Sequence, residues 1–217
     1  MREFVQIIKL LSGGMAVSIY IFVVTLLFSL PLGLLVSFGR MSKNPVVSGI
    51  MKVYISVMRG TPLMLQLMVV YFGPYYLFGI HVSNSYRMVA ALIGFVINYA
   101  AYFAEIYRGG IQSIDRGQYE AAEVLGYTKA QTFFVIILPQ VVKRILPAVT
   151  NEVITLVKDT SLAFTISVAE MFTTAKALAS SQTSMMPFVA AALFYYIFNY
   201  VVAFSMEFFE KKLGYYR

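Results

Sequence analysis

Cysteine is absent from the 217 residues, histidine occurs once, and charged residues make up only 12% of the chain. The lack of cysteine excludes disulfides, thiolate metal sites and cysteine nucleophiles. A lone His81 excludes a multi-histidine metal centre and a histidine-driven proton relay. No G-x-x-x-x-G-K-[ST] phosphate loop occurs, and no polar stretch is long enough to fold as an ATPase, so any ATP used must be bound by another polypeptide. Neither a nucleophile elbow nor a metal motif frames the carboxylates that are present, which argues against a hydrolase. Ser- or Gly-rich linkers, low-complexity segments and internal repeats are also missing, so residues 1–217 read as one domain.

What the chain has instead is apolar surface. Hydrophobic residues reach 59% and the mean hydropathy is +0.75, against about 45–50% apolar and about 25% charged residues in ordinary soluble domains. Water does not tolerate that much exposed hydrocarbon. In a membrane protein a net charge of +7 reflects Lys and Arg gathered in cytoplasmic loops rather than a nucleic-acid surface. No cleavable signal sequence is evident, and Met1–Gly14, with Arg2, Glu3 and Lys9, reads as a short amphipathic helix lying on the membrane surface.

A helical span needs roughly 20 mostly apolar residues. Met15–Gly39 is uncharged and forms the first. Val46–Phe78 reads as a second span broken at Gly60-Thr61-Pro62, and Met88–Ala104 is the centre of the third. Phe133–Val157 is the fourth, weakened by Pro139, Lys143-Arg144 and Pro147, and Met185–Met206 is the fifth. Leu162–Phe172 is apolar but too short to cross, so it is expected to form a re-entrant or interfacial half-helix that gates a cavity. The fold class is therefore an all-α polytopic membrane protein of five spans. Placing the N-terminus outside and the C-terminus in the cytoplasm puts Arg40, Lys43, Lys52, Arg108, Arg116, Lys129, Lys143, Arg144, Lys211, Lys212 and Arg217 inside. It leaves Arg2, Lys9, Arg87, Lys158 and Lys176 outside, as the positive-inside rule requires.

The stretch 105–131, between spans three and four, is too polar for lipid and too regular for a plain linker. Gly117 can start a helix that runs over Gln118–Leu125, with Tyr119, Ala122 and Leu125 on one face. Ala121-Ala122 keeps its surface shallow, and Gly126 suits a left-handed C-cap. A second helix is expected from Thr128 to Pro139. Such a helix, held across the cytoplasmic face, fits a soluble partner's groove; the bland alternative is an ordinary interhelical loop.

Glu120-Ala121-Ala122, Gly126 four residues later, then Ile136 and Leu138-Pro139 resemble the EAA loop of the membrane-spanning subunits of ABC-type importers. Further stretches resemble the polar amino-acid uptake permeases of arginine, histidine or glutamine importers. These are Arg59-Gly-Thr-Pro-Leu63, Tyr71-Phe72-Gly73, Ala104–Ile111, Gly117–Ala122, Ile137–Gln140 and Leu156–Leu162. The resemblance implies partners: ABC ATPase subunits on the cytoplasmic side, an external solute-binding protein, and a second permease subunit, identical or related. It implies a multi-pass protein of the bacterial inner membrane that is not an enzyme and carries no cofactor, ATP and Mg being bound by the ATPase partner. It also assigns coupling to Glu120, Ala121, Ala122 and Gly126, beside Tyr119 and Leu125 of the same helix. The competing readings are an ion-coupled secondary transporter or channel working without an ATPase, and a membrane-bound structural or receptor subunit. Neither needs a docking helix of this spacing.

Ionisable residues at membrane depth are functional suspects. Glu152 and Asp159, seven residues apart, fall within about 20° of one helix face, shared by Thr155 and Leu156. Thr160 or Ser161 is placed to cap the Leu162 half-helix and leave N–H groups for an anion. An amino acid then has its α-ammonium on Glu152, its α-carboxylate on Lys158 and the Ser161 end, and a basic side chain on Asp159. Asn98, Tyr102 and Glu105 follow helical spacing in the third span and face the same cavity, Asn98 nearest mid-depth. The structural alternatives are a Lys158–Asp159 pair, a Glu152 pairing with Lys or Arg, helix-bridging by Asn98 and Tyr102, and an Arg59–carboxylate pair holding the broken span. Tyr75-Tyr76 and Tyr215-Tyr216 suit interfacial belts.

Overall fold

The computed structural model describes residues 2–213, with side chains described for residues 6–212. Tyr215, Tyr216 and Arg217, and the side chains of Arg2 and Glu3, lie outside the described residues. Among the described residues the regular structure is helical, in the order α1 Arg2–Arg40, α2 Pro45–Gly60, α3 Leu63–Phe78, α4 Tyr86–Gln112, α5 Arg116–Val124 and α6 Lys129–Gln131. A π-helical turn, Thr132–Ile137, leads into α7 Leu138–Asp159. A 3₁₀ helix, Thr160–Ile166, follows, then α8 Met171–Gln182 and α9 Met186–Leu213. Four helical stretches are long and apolar enough to cross a membrane, and the pair α2 and α3, bent by 110°, makes a fifth span if counted as one. The five-span reading therefore stands.

α1 and α4 form the spine. Ser18, Thr25, Ser29 and Ser37 of α1 are fully buried. A Cβ on Gly33 would lie 2.8 Å from Phe103 Cβ and 3.0 Å from the Ala100 carbonyl. α4 answers with buried Ala90, Ala91, Ala100, Ala101 and Ala104. Small residues let the two backbones approach, which is how helices associate where lipid removes the hydrophobic drive. Phe95, Tyr99 and Phe103 of α4 enter a core shared with Ile21 and Phe22 of α1, Leu67 of α3 and Val153, Leu156 and Val157 of α7. Outward, large apolar side chains are bare: Leu35 is 67% exposed and Phe204 63%, as suits lipid contact.

Two expectations are corrected here. The first fourteen residues do not form a separate surface helix. From Arg2 they are continuous with the first span in one 39-residue helix, roughly 58 Å long at 1.5 Å per residue and so longer than the hydrocarbon core. Gly14, which invites a break in sequence terms, instead admits α8: a Cβ there would sit 2.9 Å from Met171 Cα. Ile7 and Leu11 are buried beside Met171, Ala175, Ala190 and Ala191. The second correction concerns Leu162–Phe172, which is no half-helix. The 3₁₀ helix ends at a left-handed Ser167 (φ 57°), and α8 begins only at Met171, capped by Glu170.

Candidate functional site

The break in the second span builds one wall of the site. A residue before proline avoids the helical region, and Thr61 is accordingly extended (φ −121°, ψ 149°), ending α2. The turn frees backbone carbonyls that lipid cannot satisfy. Two side-chain amides satisfy them. Gln66 Nε2 lies 2.9 Å from the Met58 carbonyl and 2.8 Å from Thr61 Oγ1. Asn98 Nδ2 donates to the Met58 carbonyl at 3.1 Å and to Gln66 Oε1 at 2.9 Å. Asn98, placed by sequence at mid-depth, is thus first a bridge to the broken helix.

Against that break lies a cavity of about 280 Å³. Thr61, Pro62 and Leu63 form its first wall, Asn98, Tyr99 and Tyr102 of α4 the second, and Glu152, Thr155, Asp159 and Leu162 the third. The seven-residue spacing does bring Glu152 and Asp159 together with Thr155, whereas Leu156 turns fully into the core. Asp159 does not pair with Lys158. Its carboxylate accepts a hydrogen bond from Tyr99 Oη at 2.7 Å. Among the described residues Arg59 makes no ion pair within 4 Å either; its guanidinium lies over the face of Tyr102, 5.4 Å from the ring centroid. Glu105 lies off the cavity, in a side-chain pair with Arg108.

The sequence pattern assigns Lys158, Thr160 and Ser161 to this same site, and the structure separates them. Lys158 and Ser161 line another cavity, of about 310 Å³, with Phe172, Phe188 and Tyr195. Thr160 is fully buried and donates to the Val157 carbonyl at 2.8 Å, while Ser161 Oγ donates to the Lys158 carbonyl at 2.7 Å. These back-bonds continue α7 instead of capping a new helix, so no free N–H cluster is presented there. The cap further on is Glu170, fully buried. Its carboxylate accepts from the Phe172 and Thr173 amides, each at 2.7 Å, and from Tyr195 Oη at 3.0 Å. Burial pushes its carboxyl above the usual range and these bonds oppose the shift.

Tyr99, Gln66 and Glu170 were not singled out by sequence. Gln66 had a signal, being the lone polar side chain in Leu63–Val70. A fully buried tyrosine needs a partner for its hydroxyl, but nothing in the sequence says that the partner of Tyr99 is sixty positions away.

The loop between α4 and α7 is capped as its spacing indicates, but the helix expected from Thr128 to Pro139 widens into the π-turn Thr132–Ile137 and runs on through Pro139 as α7. Asp115 caps α5 through the Gly117 amide at 2.6 Å. Gly126 adopts φ +78°, its amide donating to the Glu123 carbonyl and that of Tyr127 to Ala122, each at 3.0 Å, the paired bonds of a Schellman cap. Thr128 and Gln131 form a capping box for the next helix. One detail differs: Ala122 is buried against the chain itself, while Glu120, Ala121 and Leu125 are exposed, Leu125 by 72%. Tyr119 and Leu125 thus stand free, and Ala122 is the residue on which α5 rests.

Comparison with known proteins gives this arrangement its context. Residues 29–215 match the family described as binding-protein-dependent transport system inner membrane component. The L-cystine transport system permease protein TcyL of Bacillus subtilis is 40% identical over 190 residues, 86% of this chain and 80% of that protein. The arginine transport system permease protein ArtQ of the same organism is 37% identical over 207 residues, 95% of this chain and 93% of that one. The crystal structure of an amino acid ABC transporter with histidines superposes with a TM-score of 0.88 at 30% identity, covering 97% of both chains. Members of the family are transport components rather than enzymes; they hold no cofactor, nucleotide being bound by a partner ATPase, and they work with a binding protein and a second permease. The chain belongs to this family and is an inner-membrane permease subunit of an amino-acid ABC importer.

Proposed function

We propose that this permease carries polar, basic amino acids, and that Glu152 and Asp159 select them. The observation that carries the reading is the cavity lining: two carboxylates and no Lys or Arg among the described lining residues. A cavity so charged attracts a cation and repels an acidic cargo. Glu152 receives the α-ammonium, and Asp159, oriented by Tyr99, receives the basic side chain. With Lys158 and Ser161 turned away, Arg59 is the cation best placed for the α-carboxylate, held at the rim by Tyr102. Alternating access moves this cavity between the two sides of the membrane. With the N-terminus outside, α5 lies in the cytoplasm, where Tyr119, Glu120, Ala121, Leu125 and Gly126 meet the ATPase and Ala122 transmits the push into the bundle.

Calorimetry on the purified complex of permease and ATPase tests the selection. Arginine, histidine and lysine bind wild type, leucine does not, and Glu152→Gln loses the binding. Equal heats for leucine and arginine, or unaltered arginine binding in the variant, refute it and leave the choice of cargo to the binding protein.

A further inference from the structure

Two walls of the cavity, the uncharged one on α4 and the one that carries both carboxylates on α7, hang from the two long helices that flank α5. Among the described residues, side-chain hydrogen bonds join α4 and its C-cap to α7 at two places. One is Tyr99 to Asp159, inside the cavity. The other is at the root of the hairpin, where Arg144 Nη1 donates to the carbonyl of Ser113 and to its Oγ at 3.1 Å. Ser113 is the C-cap of α4, where backbone carbonyls have no partner within the helix and a cation complements the dipole.

Packing at the root is equally close. A Cβ on Gly110 would lie 2.1 Å from Ile145 Cγ2 and 3.2 Å from Val141 Cγ1. Ile114, Ile137, Val141 and Ile145 form a buried cluster around it. Gln140, one turn before Arg144, reaches Gln118 of α5 at 3.3 Å. From this root α4 runs roughly 16 Å to Tyr102 and α7 roughly 12 Å to Glu152, at 1.5 Å per residue. Apolar faces can slide along one another, whereas a directional bond to a helix-end carbonyl fixes their register. The cavity bond lies where cargo binds; the root bond does not.

We propose that Arg144 is a positioning residue for transport: it locks α4 to α7 beside α5, so that a displacement of α5 moves both cavity walls together. The inference rests on the proposed docking of α5 to the ATPase. The test uses the complex reconstituted in vesicles with its ATPase and binding protein, with arginine as the probe. Arg144→Met keeps an unbranched apolar stem and removes the guanidinium with its donors; Arg144→Lys keeps one donor group. Because the chain has no native cysteine, Leu125→Cys can report docking in each background by ATP-dependent cross-linking to the ATPase.

The expected result is normal cross-linking and continued ATP hydrolysis in Arg144→Met, with arginine uptake per ATP down about tenfold, within the usual range for coupling between sites, and largely restored in Arg144→Lys. Unchanged uptake per ATP with normal cross-linking overturns the role of Arg144 and leaves the docking reading intact. Absence of cross-linking in otherwise wild-type protein removes the docking reading and this inference with it. If Arg144→Met does not insert, Arg144→Ala, which also removes the donors at this exposed position, takes its place: wild-type uptake per ATP with normal cross-linking in Arg144→Ala overturns the proposal, and a loss that Arg144→Lys largely restores supports it.

Discussion

The cavity and the loop are two polar regions of an apolar molecule, and they use their polar groups in opposite ways. In the cavity the polar groups turn inward. Gln66 and Asn98 are consumed in mending the broken span, and Tyr99 is consumed by Asp159. In the loop the backbone is closed by its own caps, and the side chains of Glu120 and Leu125 are left exposed. Within the bilayer, backbone groups freed by a broken helix must be satisfied by the protein itself, so side chains near the break serve structure before chemistry. A loop in water has no such demand, and its geometry can be devoted to presenting a surface.

The sharpest way to break this contrast is at Gly126. Nothing lies within 4 Å of a Cβ built there, but its φ is +78°. The cost of a side chain is therefore conformational, roughly 1–2 kcal/mol, and falls on the cap that ends α5. Gly126→Asp should insert normally and abolish uptake while ATP hydrolysis continues, uncoupled, in vesicles. Gly126→Asn, which tolerates the left-handed region better, should retain a large part of uptake. Equal uptake by wild type and Gly126→Asp would mean that the loop's shape does not matter.

Asp159 gives the next effect. Asp159→Asn keeps the shape and an acceptor for Tyr99 but removes the charge. Arginine affinity should fall about tenfold, in line with a charged hydrogen bond of about 1.5–3 kcal/mol, and glutamine affinity about twofold. Titration calorimetry of both cargoes distinguishes this from general damage to the cavity, which would weaken both alike.

The contrast also explains what was legible in the sequence. The loop could be read closely because its structure is local: Asp115, Gly126 and the Thr128–Gln131 box act on backbone within a few residues. The spans were legible from composition, and so was the break at Gly60-Thr61-Pro62. The cavity was only half legible. Helical spacing correctly joined Glu152 to Asp159 and Asn98 to Tyr102, since those distances are set by one helix. It misplaced Lys158 and Ser161, because whether α7 stops or tightens into a 3₁₀ turn decides which way they face. The seat of α8 on Gly14, and with it the continuity of α1, depends on packing between segments more than 150 positions apart, on which local pattern is silent.

The smallest effect expected belongs to Gln66. In water, removing a fully bonded buried amide would orphan several acceptors at about 1–3 kcal/mol each. Within a membrane, measured interhelical bonds average only about 0.6 kcal/mol and reach about 1.7, because the unfolded spans find other partners. Gln66 sits between these cases. Its contacts lie within one bent span, at Met58 and Thr61, and only the bond from Asn98 crosses to another helix. Gln66→Leu should therefore lower stability by about 1–2 kcal/mol, read as a drop in melting temperature of the detergent-purified complex. It should weaken arginine binding only about threefold, through the displaced Thr61–Leu63 wall. Gln66→Glu, which keeps the acceptor for Asn98 but loses the donor to Met58 and Thr61, separates the two halves of the network. If it melts like Gln66→Leu, the mended break is what the glutamine supplies; if it melts like wild type, the bond to Asn98 is, and the break holds by proline and packing alone.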